Sequence, residues 1–250
     1  MADQIDYKLI GDDMQGVIVT LDPGETVQAE SGAMMFMEEG IEASTELQGG
    51  IFGGVKRLVG GESLFMALFT NNGSARSRIA FAAPYPGKII PLDLSETGDM
   101  ICQRDAYLCS AYGIRIEMAF TKRLGAGFFG GEGFILQRLS GDGLAFIHAG
   151  GTVIKHDLGP GQSLSVDTGC LVALDTRVTY DIKMVSGIKT ALFGGEGLFY
   201  AHLEGPGTVY LQTLPFSRMA DRVLSAAGGG SKGEVKRGMG GLIGGLLNGD

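Results

Sequence analysis

Three glutamates hold the same place in three copies of one short motif, and they are the first residues whose type and spacing could do chemistry. LVGGESLFMAL (58–68) carries Glu62, FFGGEGFILQR (128–138) carries Glu132, and LFGGEGLFYAH (192–202) carries Glu196. Carboxylates gathered at one rim can hold a cation or a ligand, and paired carboxylates can run acid–base hydrolysis. The same residues also read as structure. Gly-Gly makes a tight or left-handed turn, and the Glu caps it or meets a basic neighbour. Recurrence in a duplicated motif follows from duplication and argues nothing for catalysis. Glu62, Glu132 and Glu196 are therefore expected to be turn residues that could also serve a ligand or an interface.

The remaining reactive residue types form no set. His148, His156 and His202 occupy non-equivalent positions in the copies and lack H-x-H or H-x-x-E spacing, so a metal triad has no local support. Cys102, Cys109 and Cys170 are an odd, scattered trio, and the first two lie in apolar, strand-like surroundings, where buried inert thiols are expected. Gly125, Gly127 and Gly130 match G-x-G-x-x-G, but the strand-like FILQRL follows them rather than a helix. GGIFGGVKR (49–57) lacks a Lys and Ser/Thr where a phosphate loop needs them. The expectation is no catalytic residue, no cofactor and no metal.

The elements that must position these residues repeat as well. After each glutamate a turn glycine follows at the same offset of 11 residues: Gly73, Gly143 and Gly207. Upstream, VIVTLDPGETV (17–27), KIIPLDLSETG (88–98) and TVIKHDLGPGQ (152–162) align. Asp22 precedes Glu62 by 40 residues, Asp93 precedes Glu132 by 39, and Asp157 precedes Glu196 by 39. Spacing this regular marks a triplication. Short apolar runs ending in Gly, Pro or Asp make each copy strand-like, with roughly seven or eight strands expected per copy. Several runs are apolar throughout rather than alternating, which predicts strands buried on both faces.

The predicted fold is all-β: three tandem β-sandwich repeats over 1–83, 84–150 and 151–216, then a short helix and glycine-rich apolar tail over 217–250. Ser217 can cap the helix SRMADRVLSAA, with Met219, Val223 and Leu224 on one side. GGGSKGEVKRG is a flexible, slightly basic linker, and MGGLIGGLLNGD is too short to span a bilayer. Two readings of the tail stay open: a segment that covers an apolar groove on this or a neighbouring subunit, and a peripheral foot on a membrane or membrane protein through 228–250, with Lys232, Lys236 and Arg237 beside it.

Composition narrows the classes further. Gly makes up 43 of 250 residues without a collagen period, so many tight turns or close backbone approaches are expected. The net charge of −8 disfavours a grip on phosphate backbones, so no nucleic-acid partner is expected. The polar, acidic start MADQIDYKLI has no secretory pattern, which with the scattered cysteines predicts a reduced, cytoplasmic protein.

LDPGETVQAESGAMMFM (21–37), the three FGGEG-type motifs and the glycine-rich apolar C-terminus together resemble a bacterial and archaeal family related to the mitochondrial "altered inheritance of mitochondria" proteins. The resemblance covers residues 5–247. It implies a fold similar to the tryptophan RNA-binding attenuation protein, whose short double-stranded β-helix units assemble into rings. It implies no RNA site, because that protein's Lys/Arg pattern has no recurring counterpart here. The expectation is a non-enzymatic assembly or scaffold protein, homo-oligomeric as a trimer or a multiple of one. The alternatives are a small-molecule-binding module with ligand held between adjacent repeats, and, third, an enzyme using the glutamates and a histidine.

Overall fold

The computed structural model describes residues 1–47, 65–122, 134–184 and 199–228. The motif glutamates Glu62, Glu132 and Glu196 lie outside the described residues, as do the two glycine loops (49–57 and 125–130) and the tail beyond Gly228. The chain divides into two compact units, Met1–Pro215 and Phe216–Asp250.

The first unit holds nineteen described strands. Within residues 1–83 run β1 (Asp6–Ile10), β2 (Gly16–Leu21), β3 (Thr26–Glu30), β4 (Met34–Met37), β5 (Ile41–Leu47), β6 (Phe65–Asn71) and β7 (Ser77–Ala82). Next come β8 (Gly87–Asp93), the one-turn helix α1 (Leu94–Thr97), β9 (Met100–Gln103), β10 (Tyr107–Ala111), β11 (Arg115–Lys122), β12 (Phe134–Ser140) and β13 (Leu144–Gly150). The last set is β14 (Val153–Leu158), β15 (Ser163–Asp167), β16 (Leu171–Asp175), β17 (Thr179–Met184), β18 (Phe199–Glu204) and β19 (Gly207–Gln212). Among the described residues that is six strands in each of the three stretches, plus the N-terminal β1.

All strand pairings are antiparallel, in four sheets ordered β1-β2-β7-β4, β5-β6-β3-β10-β13-β8, β11-β12-β9-β16-β19-β14 and β15-β18-β17. Each six-stranded sheet joins three strands from one stretch of sequence to three from the next. The joins are β3 with β10 and β9 with β16. Strands inside such sheets are covered on both sides, which explains why MICQ, YLCSA and LVALD are buried at every position.

Two apolar clusters fill the unit. The larger includes Val19, Phe69, Phe81, Leu92, Met100, Phe146 and Ile147, and the smaller Phe134, Leu136, Leu171, Leu203 and Val209. The recurring glycines Gly73, Gly143 and Gly207 sit at the β6–β7, β12–β13 and β18–β19 hairpins, close against neighbouring side chains. A Cβ at Gly143 would stand 2.6 Å from that of Ala2, and one at Gly207, whose φ is 147°, would stand 2.7 Å from Val178 Cγ2. At Gly73 it would meet Asn71 Oδ1 at 3.1 Å. Close approach, more than turn type, fixes these positions.

In the second unit the expected helix is α2 (Phe216–Gly228), with Phe216, Val223 and Leu224 exposed. Among the described residues no helix is long and apolar enough to cross a membrane.

Candidate functional site

The described histidines and cysteines do not converge. His148 on β13 is 2% exposed, with its ring edge-on to Tyr85 at 4.5 Å between centroids. Among the described residues neither ring nitrogen finds a hydrogen-bond partner. Burial disfavours the imidazolium and pulls its pKa down to about 4. His156 lies on β14 and is exposed, while His202 lies on β18 with Nδ1 3.4 Å from Ser165 Oγ. Cys102 and Cys109 are fully buried, and burial pushes both thiols up, that of Cys102 to about 12, so neither is a ready nucleophile. Cys170 is half-buried. Among the described residues no three His, Cys, Asp or Glu side chains gather as a metal would need.

The first join, between β3 and β10, concentrates what polar chemistry there is. Gln28 donates through Nε2 to Ser110 Oγ at 2.9 Å and to the Ile114 carbonyl at 2.7 Å. Tyr107 Oη donates to the Gln28 carbonyl at 3.2 Å and lies 3.0 Å from Ser110 Oγ. Burial also holds the Tyr107 phenol well above its usual pKa. At the end of β3, Glu30 has its carboxyl pushed up to about 7, first by burial and then by the Asp105 charge, against the pull of Arg104. Glu30 itself is an exposed residue, so water tempers that push and its direction is the dependable part. Among the described residues this network is engaged with its own partners.

A carboxylate-lined recess lies at the N-terminal end, among Asp3, Ile5, Asp93, Ser95 and Asp142. Its carboxylates are already engaged. Asp3 accepts from Thr26 N at 2.8 Å, Asp93 caps α1 through Ser95 N at 3.0 Å, and Asp142 accepts from Ala2 N at 2.7 Å.

The surface with an unmet physical demand is β4. Met34, Met35, Phe36 and Met37 are 40%, 54%, 41% and 42% exposed, four consecutive apolar residues at the edge of a sheet. Among the described residues β4 pairs on one side only, with β7. An exposed apolar edge strand is what soluble β proteins ordinarily blunt with charge, proline or a cover. In sequence this stretch is the apolar run MMFM. Its signal was there: apolar residues at consecutive positions of a strand require cover on both faces.

Comparison with known proteins agrees with this all-β architecture. A Streptococcus pyogenes crystal structure covers 90% of this chain with all of its own, at a TM-score of 0.72 and 24% identity, and shows the fold alone. An uncharacterised protein of Streptococcus pyogenes serotype M6 is 26% identical over 212 residues, spanning 82% of this chain and 83% of its own length. Residues 7–214 match the family described as mitochondrial biogenesis AIM24, and with that span matched the chain belongs to the AIM24 family.

Proposed function

We propose that the chain is a non-catalytic assembly protein whose working form is a homo-oligomer. The observation that carries this reading is the exposed apolar strand Met34–Met37. Leaving it in water costs free energy on the order of 25 cal/mol for each Å² of apolar surface, which a stable contact would recover. The scattered histidines and engaged polar network favour assembly over chemistry. In this reading the glycine-rich tail contributes attachment, to another subunit or to a membrane complex. The test is the native mass of the full chain beside a chain ending at Ala227. A defined oligomer supports the reading, and its loss on truncation makes the tail an assembly element. A single-chain mass in both removes it.

A small-molecule-binding role has one observation in its favour. Among the described residues both side-chain amide atoms of Gln137 are buried without a hydrogen-bond partner, on β12 directly opposite Cys102 and Met118. An orphan buried amide is the kind of group a ligand or water satisfies. Gln137→Leu separates the cases by thermal unfolding. In an unliganded chain it is neutral or stabilising by up to about 1 kcal/mol, whereas loss of stability with release of a bound small molecule supports the ligand role.

A further inference from the structure

We propose that β4 of one chain pairs antiparallel with β15 of a second copy of the same chain, repeating between molecules the join that the fold makes twice within one. This rests on the homo-oligomer reading and adds to it the strands, the partner and the register.

The recurring strand orders identify the missing join. The two internal joins link the trio β8-β13-β10 to β3-β6-β5, and the trio β14-β19-β16 to β9-β12-β11. Two trios of the same kinds remain unlinked: β2-β7-β4, with β1 added at its far side, and β15-β18-β17. Among the described residues β4 and β15 each have one unpaired side, and within the chain they belong to different sheets.

Irregularities in the ladders fix which residues correspond. β4 skips from Met34 to Phe36 against the consecutive residues Phe81 and Ala80 of β7. β10 skips from Tyr107 to Cys109 against Ile147 and Phe146, and β16 from Leu171 to Ala173 against Leu211 and Tyr210. One bulge at one place in three strands makes Phe36, Cys109 and Ala173 equivalent. On the other trio, Ala29 faces Ala67, Cys102 faces Gln137 and Val166 faces Ala201. Ala67, Gln137 and Ala201 stand at the same offset from the three motif glutamates, so Ala29, Cys102 and Val166 are equivalent too.

The existing joins then dictate the register. Cys109 pairs with Ala29 and Ser110 with Gln28, while Ala173 pairs with Cys102 and Leu174 with Ile101. Carried to the free strands, Phe36 faces Val166, Met37 faces Ser165 and Glu38 faces Leu164. The product is a seven-stranded sheet in the order β1-β2-β7-β4-β15-β18-β17.

Burial supports the same conclusion. β10 and β16 are buried throughout, whereas their counterpart β4 is exposed at all four positions. Every residue of β9 is buried, and β3 is buried from Thr26 to Ala29, whereas β15 exposes Ser163 and Ser165. Strands of one kind lose their cover only where the chain runs out of neighbours. Because β4 and β15 are different surfaces, the contact is heterologous and propagates from chain to chain until it closes.

The experiment uses the full chain carrying Met37→Cys and Ser165→Cys together, oxidised and run on a non-reducing gel. A ladder of covalent multimers is expected, at least about tenfold stronger than from a chain with Met37→Cys and Ser163→Cys, which the register sets diagonally. The wild-type lane gives the background of Cys170. Sedimentation of Met37→Lys should show the concentration for half-assembly raised at least about tenfold. An oligomeric wild type with no ladder and an unaffected lysine variant overturns this join and leaves the homo-oligomer reading standing. A wild type of single-chain mass overturns both. A cross-link confined to one chain overturns the intermolecular join by showing closure within the molecule. Should the lysine variant misfold by circular dichroism, the cysteine comparison decides alone.

Discussion

The two internal joins and the two free edges are built from strands of the same kinds, yet their side chains differ in a consistent way. In the joins the facing core pairs are small, Cys109 with Ala29 and Ala173 with Cys102, and all four are buried to 1% exposure or less. At the free edges the matching residues are Phe36 and Val166. Small residues suit a row that the rest of the core presses upon, and a bulky residue suits a row with open space beside it. The difference teaches that cover in this fold is set by the neighbouring strand more than by a strand's own composition. MMFM is no less apolar than YLCSA or LVALD, and it alone stands in water.

The largest effect should come from putting a charge into a join. Cys102→Asp buries a carboxylate at a fully covered site against Ala173 and Gln137. Urea denaturation should show a loss of about 4 kcal/mol or more, or outright failure to fold. Phe36→Asp, at the matching free edge, should change the stability of the single chain by no more than about 0.5 kcal/mol. Equal costs at the two sites would mean that β4 is covered in the single chain, and the contrast would collapse.

Next in size is a pH effect seated at His148, on β13 within the first joined sheet. Its folded pKa of about 4 lies below the ordinary 6.5, so between those values the unfolded chain binds the extra proton. The stability contributed by the neutral ring is present above pH 6.5 and is lost as pH falls toward 4, by about 3 kcal/mol in full. Glu30 works the other way. Its raised pKa gives stability that is present below about 4.5 and lost as pH rises toward 7, reduced because the residue is exposed. The wild-type profile should therefore be shallower than His148 alone would make it. Unfolding free energies from pH 4 to 7 should flatten for His148→Leu and steepen for Glu30→Gln. A steep profile that survives His148→Leu would place the titrating group elsewhere.

Much of this could be read from the sequence, for a physical reason. The β character, the spacing of Gly73, Gly143 and Gly207, and the helix after Pro215 are local signals, set by turn geometry and side-chain periodicity. Apolar runs without alternation predict cover on both faces, as YLCSA and LVALD have. They could not show by what, because a strand's next neighbour is a long-range choice that its apolar pattern does not specify. So the cross-links β3–β10 and β9–β16 were not foreseen, nor the two strands left without such a partner. The glutamates that stood out most in sequence, Glu62, Glu132 and Glu196, fall outside the described residues. The exposed edge Met34–Met37 is hard to tell apart in sequence, because hydrophobic residues in a strand look like core.

The smallest predicted effect sharpens the contrast on the opposite face of the same strands. Gln28 at the first join and Ser165 at a free edge are equivalent by register. Gln28 binds Ser110 Oγ and the Ile114 carbonyl in the interior, whereas Ser165 is exposed with one long contact, 3.4 Å, to His202. Gln28→Ala leaves two buried acceptors short of a donor and should cost about 1–3 kcal/mol by urea denaturation. Ser165→Ala should stay within about 0.5 kcal/mol when measured in the Met37→Lys chain, where assembly is weakened. In the wild-type assembly the join would cover Ser165 with Met37 of the next chain, and removing the hydroxyl there should tighten association slightly, since a buried hydroxyl without a good partner opposes it. Weakened association would instead require the hydroxyl to hold a hydrogen bond across the contact, which places a polar atom of the neighbouring chain, and not the Met37 side chain, opposite Ser165.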